Sequence, residues 1–393
     1  MQIARGSQRL ANSVGSYIFY VYIQWCLPWH NNLHYVKQSL SRKLKQTEDV
    51  PPALLVILCQ STFEVLDSCL FKRTYSNCSK MVETNLTGEG IYKTFEQLYC
   101  SKEMAAGKVN NHLIILSAIN IFLSITASLG NTLILVALRK ETSLHPSSKL
   151  LYRNLAITDL CVGIIVEPVI VCYWTSQAME RWDICRYVLV SKYVIGFILC
   201  SVSLMTVTAL SVDRLLALLL GLRYRQVVTL KRSYAIITIL WASATVAGTI
   251  YVVHPFVTRW IGNVAIIFCL ITSVFSYSNI FFTLRNYQIK SQEHVSQAQS
   301  PQAIPLNMAR YRKAVSSALW IQVTLVVCYL PYVAAVLLTP KRELSLPHYL
   351  ARQFGATVMH LNSSLNPLLY CWKIKEVRQV VKGTLRHIFC SFV

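Results

Sequence analysis

From His112 onward the chain alternates long apolar runs with polar connectors, and seven of the runs are long enough to cross a bilayer. They fall at about 112–138, 148–174, 187–219, 232–254, 263–287, 311–339 and 350–372. This pattern predicts an all-α membrane protein, a seven-transmembrane helix bundle over residues 112–372. The connectors are short except Gln288 to Ala309, which is rich in Ser and Gln, holds two prolines and reads as a flexible loop. After the seventh run, Lys373 to Phe389 alternates basic and apolar residues at helical spacing. Residues 373–393 are therefore expected to form a short amphipathic eighth helix on the membrane surface and a cytoplasmic tail, with Cys390 a candidate for palmitoylation.

The first 80 residues break the pattern. Ser16 to Trp29 is apolar and aromatic but too short to span comfortably, and Leu54 to Cys59 is shorter still. Neither has the small-residue cleavage site of a signal peptide. Lys37, Arg42, Lys43 and Lys45 form a basic run that resists translocation. Residues 1–80 are therefore expected to be a disordered or spurious extension, with translation starting near Met81 and residues 81–111 forming an extracellular N-terminal segment. Asn77-Cys-Ser and Asn85-Leu-Thr match the glycosylation triplet, a pattern that also arises by chance.

Composition agrees with the membrane reading: 54% of residues are hydrophobic and only 14% charged. The net charge of +21 would point to nucleic acid in a soluble chain, but here the basic residues sit between apolar runs. Eighteen Lys and Arg occupy one set of connectors with the tail, against seven on the opposite set (Arg181, Arg186, Lys192, Arg259, Lys341, Arg342 and Arg352). The positive-inside rule then places the C-terminus in the cytoplasm and the N-terminus outside, in the plasma membrane, with no nucleic-acid partner. The thirteen cysteines include no CxxC pair and no zinc-like spacing.

Several polar residues lie within the runs. Asp159 stands mid-span, where a carboxylate is costly and marks function by default. Asn131 follows Gly130; Ser203 lies in the third run; Asn362, Ser363 and Asn366 precede Pro367 and Tyr370 in the seventh. Trp241 is central in the fourth, Pro331 interrupts the sixth, and Asp213-Arg214 closes the third. Taken singly, these residues also suit plain interhelical hydrogen bonds, proline kinks and an interfacial ion pair. Asp159 alone fits an ion-coupled transporter equally well, although no repeated halves accompany it. No constellation of intramembrane His and Asp supports an enzyme.

Order and spacing separate these readings. Gly130-Asn131, Leu155-Ala156 with Asp159, Asp213-Arg214-Leu215, Trp241, Cys328-Tyr329-Leu330-Pro331 and Asn366-Pro367-Leu368-Leu369-Tyr370 follow one another, one group per run. The set resembles the rhodopsin-like (class A) family of G-protein-coupled receptors. That resemblance implies a receptor that binds an extracellular ligand and activates a heterotrimeric G protein. It implies a sodium pocket at Asp159, Ser203, Asn362, Ser363 and Asn366. It also implies that Asp213 holds Arg214 at rest. On activation the sixth helix would pivot outward near Pro331, while Arg214, Tyr277 and Tyr370 rearrange.

The departures carry information too. Leu215 replaces the motif tyrosine, Tyr329 the sixth-helix tryptophan and Cys269 the fifth-helix proline. No acid lies near Tyr311 to restrain Arg214, so basal activity is expected. The family's usual third-helix cysteine position holds Leu189, which leaves Cys100 and Cys185 as the outer cysteines able to pair. His360 stands where opsins carry the retinal lysine, so no retinal is expected. Gly196 replaces the aminergic aspartate, Val336 the adenosine-receptor asparagine, and Glu167 alone remains of the acids melanocortin recognition needs. The short second outer loop, the missing standard disulfide and the missing fifth-helix proline are nonetheless similar to the melanocortin, lysophospholipid, cannabinoid and adenosine branch. A small molecule or lipid is favoured over a large peptide. Arrestin recruitment would fall to Ser291, Ser296 and Ser300 of the third inner loop, since the tail offers only Thr384 and Ser391.

Overall fold

The computed structural model describes residues 99–101, 108–140, 144–297, 320, 323–338, 345–373, 378–379 and 381–383. Every regular element among these residues is helical. In chain order they are α1 (Lys108–Lys140), α2 (Pro146–Ala178), α3 (Trp182–Leu220), α4 (Leu230–Val253), α5 (Pro255–Gln297), α6 (Val323–Leu337) and α7 (Leu346–Lys373). The five from α1 to α5 are long and apolar enough to cross a membrane; α6 is a shorter apolar helix over its described residues. Residues 1–98 with Asn77 and Asn85, most of the third inner loop, and the end of the tail with Cys390 lie outside the described residues.

Apolar residues cover the outside of the helices as well as filling the core, and a set of polar residues is buried among them. Ile239, Val246, Phe268, Ile271 and Phe275 are exposed, while Asn120, Asn131, Asn154, Asp159 and Asn366 are buried. Lipid accepts an apolar surface freely, so the polar groups must find one another in the interior. They do so across helices. Asn154 of α2 donates to Thr206 of α3 at 2.8 Å and accepts from the Trp241 indole of α4 at 3.1 Å. Asn131 of α1 donates to the Ser363 carbonyl of α7 at 3.0 Å, and Asn120 to Thr357 at 3.0 Å. The central member is α3, packed on α2, α4 and α5, while α7 lies against α1.

The middle of α2 is under-wound into a π-helical stretch, Val162–Val166. Pro168 explains it, since its ring crowds the preceding turn and it has no N–H to give. The Glu167 N–H bonds back to the Val162 carbonyl, so the Gly163 carbonyl faces the missing N–H of Pro168. Ser124 of α1 donates its hydroxyl to that carbonyl at 2.7 Å, and the lost backbone bond is replaced from a neighbouring helix.

Two boundaries differ from the sequence reading. The loop expected from Gln288 is helical as far as Gln297, because this stretch holds no Gly or Pro and includes the helix formers Gln288, Lys290, Gln292 and Glu293, the first proline coming at Pro301. And α3 begins at Trp182 rather than near 187; Lys192, counted with the connectors although it falls inside the predicted run, is buried in the interior. Arg259 and Arg352, counted with the same connectors, lie within α5 and α7.

Candidate functional site

One face of α3 carries both ends of the site. Lys192, Leu199, Thr206 and Asp213 recur every seven residues, and all four are buried, because that spacing returns to the same side of a helix. The face therefore runs from a lysine at the outer end, past the polar centre, to the acid at the inner end.

At the outer end α2, α3, α4, α5, α6 and α7 enclose a cavity of about 270 Å³. Lys192 is only 8% exposed; its ammonium donates to Gln353 Oε1 at 2.9 Å and lies 4.4 Å from the Tyr173 ring centroid. Trp174 donates to the same Gln353 oxygen at 3.3 Å. Arg259, Arg352, Tyr251, Tyr332 and His360 also line the space. Deeper in, the walls turn apolar, with Leu204, Met205, Ala244 and Ile266.

The segment before α1 reaches into this cavity. Cys100 is disulfide-bonded to Cys185 at the start of α3, which brings Tyr99 against the helix ends. Tyr99 is buried; its hydroxyl accepts from Arg352 at 2.8 Å and its carbonyl from Gln177 Nε2 at 2.6 Å. Tyr349 in turn donates to Gln177 Oε1 at 2.7 Å. The disulfide and these bonds set a tyrosine into the outer wall of the cavity.

In the centre, Asp159 gathers three donors. Ser203 of α3 and Ser363 of α7 both donate to Oδ1 at 2.9 Å, and Asn366 donates to Oδ2 at 2.7 Å. Among the described residues, buried Asn362 has neither amide atom hydrogen-bonded, and the Asn366 Oδ1 also lacks a donor. Four of the five residues expected to hold sodium are thus joined on one carboxylate, and the fifth stands apart from those bonds. A carboxylate, two hydroxyls and an amide oxygen without a donor form a hard-oxygen set that suits a small alkali cation. Glu167, further along the same helix α2, is fully buried and neither carboxylate oxygen has a hydrogen-bond partner among the described residues.

At the inner end the geometry departs from the expected resting pair. Both Asp213 oxygens are engaged by hydroxyls: Tyr224 donates to Oδ1 at 2.6 Å and Ser148 to Oδ2 at 2.7 Å. The Arg214 guanidinium instead lies over the Tyr152 ring, 5.6 Å from its centroid. A hydroxyl costs less to desolvate than a guanidinium, and two short charge-assisted bonds satisfy the carboxylate. Tyr224, in the loop after α3, has its hydroxyl pushed up to about 12, by burial first and then by its bond to Asp213, so it stays a donor at neutral pH. Tyr370 of α7 packs edge-on against Tyr152, with ring centroids 5.4 Å apart and a buried hydroxyl that has no partner.

The remaining predicted residues fall on the helix contacts. Tyr277 faces a cleft between α5 and α6 lined also by Val323 and Val327. Tyr329 is buried and lines the outer cavity. Pro331 lies where α6 meets α7: a Cβ on Gly355 would fall 3.2 Å from the Pro331 carbonyl and 2.9 Å from the Tyr332 Cα. Pro367 packs against Gly130.

The site residues not read from the sequence are Lys192, Gln353, Tyr99, Ser148 and Tyr224. For Lys192 a signal existed, its seven-residue phase with Thr206 and Asp213. The others depend on contacts between distant segments, which no local pattern carries.

Comparison with known proteins agrees with this arrangement. The family described as 7 transmembrane receptor (rhodopsin family) matches residues 130–272. Melanocortin receptor 4 of Danio rerio is 24% identical over 281 residues, which cover 69% of this chain and 83% of that receptor. Melanocortin receptor 5 of Homo sapiens is 26% identical over 309 residues, 70% of this chain and 87% of the receptor. The same receptor of Pan troglodytes is 25% identical over 305 residues, 70% and 87% of the two chains. The chain is thus similar to the rhodopsin family of seven-transmembrane receptors over residues 130–272 and to melanocortin receptors over about 70% of its length, as fits a multi-pass membrane protein. Those relatives are receptors, not enzymes.

Proposed function

We propose that the chain is a plasma-membrane receptor of seven transmembrane helices and an amphipathic eighth. An extracellular small molecule or lipid enters the outer cavity, and the inner end activates a heterotrimeric G protein as α6 moves outward near Pro331. The observation that carries this reading is the shared face of α3: Lys192 at the cavity and Asp213 at the inner loops stand on one rigid element, with Thr206 between them. A ligand acts only through a difference in affinity between two states, and a helix lining both ends gives that difference a path.

The inner geometry supports basal activity. With Asp213 occupied by Tyr224 and Ser148, Arg214 already lies over Tyr152, which in turn packs on Tyr370. Little then opposes the arrangement that receives the transducer. Sodium, when bound at Asp159 with Ser203, Ser363, Asn366 and Asn362, supplies the charge that the buried carboxylate lacks and favours the state without transducer. Its release leaves the three hydrogen bonds described above to hold Asp159.

The test is ligand-free activation of purified G proteins of every class by the reconstituted receptor. Wild type should activate one class and Arg214→Ala should fall to background at equal surface expression. Replacing potassium by sodium should lower the wild-type signal and leave Asp159→Asn unchanged. A well-folded wild type silent with every G protein would sink the reading of basal activity. An Arg214→Ala variant as active as wild type would remove the inner end from the mechanism.

A further inference from the structure

The outer cavity carries a charge that neither the family's general mechanism nor the sodium pocket uses. Lys192 is held inside the membrane span by one amide oxygen and by aromatic faces, and its partners among the described residues are all neutral. A buried ammonium without a carboxylate is among the most costly arrangements a membrane interior can hold, and such a residue marks a ligand or ion path by default. Arg259 and Arg352 line the same space, and no Asp or Glu is among the described residues that line it. Glu167, the one acid retained in the outer half of α2, does not reach the lining.

On the reading of this cavity as the ligand site, we infer that the receptor takes an amphiphilic organic anion, its carboxylate or phosphate head at Lys192 and Gln353 and its apolar body toward Leu204, Met205 and Ile266. Each part of the ligand answers a part of the wall. The head completes the ion pair Lys192 lacks, with Arg352, already fixed by Tyr99, adding to the positive field. The apolar body is desolvated against an apolar floor. A cationic ligand would bring like charge against Lys192, which costs rather than gains affinity.

The experiment uses the full chain in phosphatidylcholine nanodiscs, with thermal unfolding as the readout. The probes are decanoate and decyl phosphate as anions, decanol and decylamine as matched neutral and cationic chains, and acetate as a head without a body. Both anions should raise Tm in a saturable way, and decanol, decylamine and acetate should not. Lys192→Met removes the charge at similar volume, so its Tm without probe should equal or exceed that of wild type. The same variant should need about tenfold or more anion for the same rise. Lys192→Arg, which keeps the charge, should retain a rise. The inference is overturned if decylamine or decanol matches the anions, if no anion shifts Tm, or if Lys192→Met responds like wild type. Basal G-protein activation measured on the same preparations keeps the two readings apart. An active receptor indifferent to anions loses only the ligand class, and an anion-binding receptor silent toward G proteins loses only the coupling.

Discussion

A single hydrogen atom at Gly130 lets α1 and α7 meet. A Cβ built there would lie 2.8 Å from the Pro367 Cγ and 2.9 Å from its Cβ, and a proline ring cannot turn aside. Gly130→Ala should therefore destabilise by about 1–3 kcal/mol through overpacking, read as a lower Tm of the purified receptor. Gly383→Ala is the control, since nothing lies within 4 Å of its added Cβ; its Tm should be unchanged or slightly raised. An unchanged Tm for Gly130→Ala would mean the two helices part at no cost. At this scale the sequence was most informative where one residue type does one job. Asp159, Ser203, Ser363 and Asn366 were legible through their order along the runs, and they meet on one carboxylate. Lys192 was not, because its charge favours a connector when only composition is weighed, and its helical phase decides otherwise.

The elements depend on links that hydropathy does not record. The seven apolar runs are legible from length alone, whereas the extension of α5 to Gln297 and the π-helical stretch before Pro168 are set by local backbone chemistry. The segment before α1 owes its place to the Cys100–Cys185 disulfide, whose partners are 85 residues apart. A cross-link over so long a loop restricts the unfolded chain by about 2–5 kcal/mol. Here it also delivers Tyr99 to Arg352 and Gln177. Cys100→Ser, Cys185→Ser and the double variant should thus lose the same amount of thermal stability, since breaking either end opens the same loop. Losses that add, or one neutral single variant, would show that the two thiols act separately. The occupation of Asp213 by Tyr224 belongs to this scale as well, since a loop residue eleven positions away settles where an ion-pair partner points.

Across the whole molecule, Lys and Arg favour one set of connectors with the tail, eighteen against seven, and of those seven Lys192, Arg259 and Arg352 line the cavity while Arg186 lies within α3. A bias of this sign supports a cytoplasmic placement of the richer side. The disulfide points the same way, because Cys100 and Cys185 pair stably only on the oxidising side of the membrane. In the proposed orientation Asp213 and Arg214 would face the cytoplasm and the Lys192 cavity the outside, since one helix of 39 residues holds them at opposite ends. An epitope inserted within residues 81–98 should stain intact cells, and one appended after Val393 should stain only after permeabilisation. The reverse pattern would turn the cavity toward the cytoplasm and leave the disulfide in a reducing compartment, and no extracellular ligand could then reach Lys192.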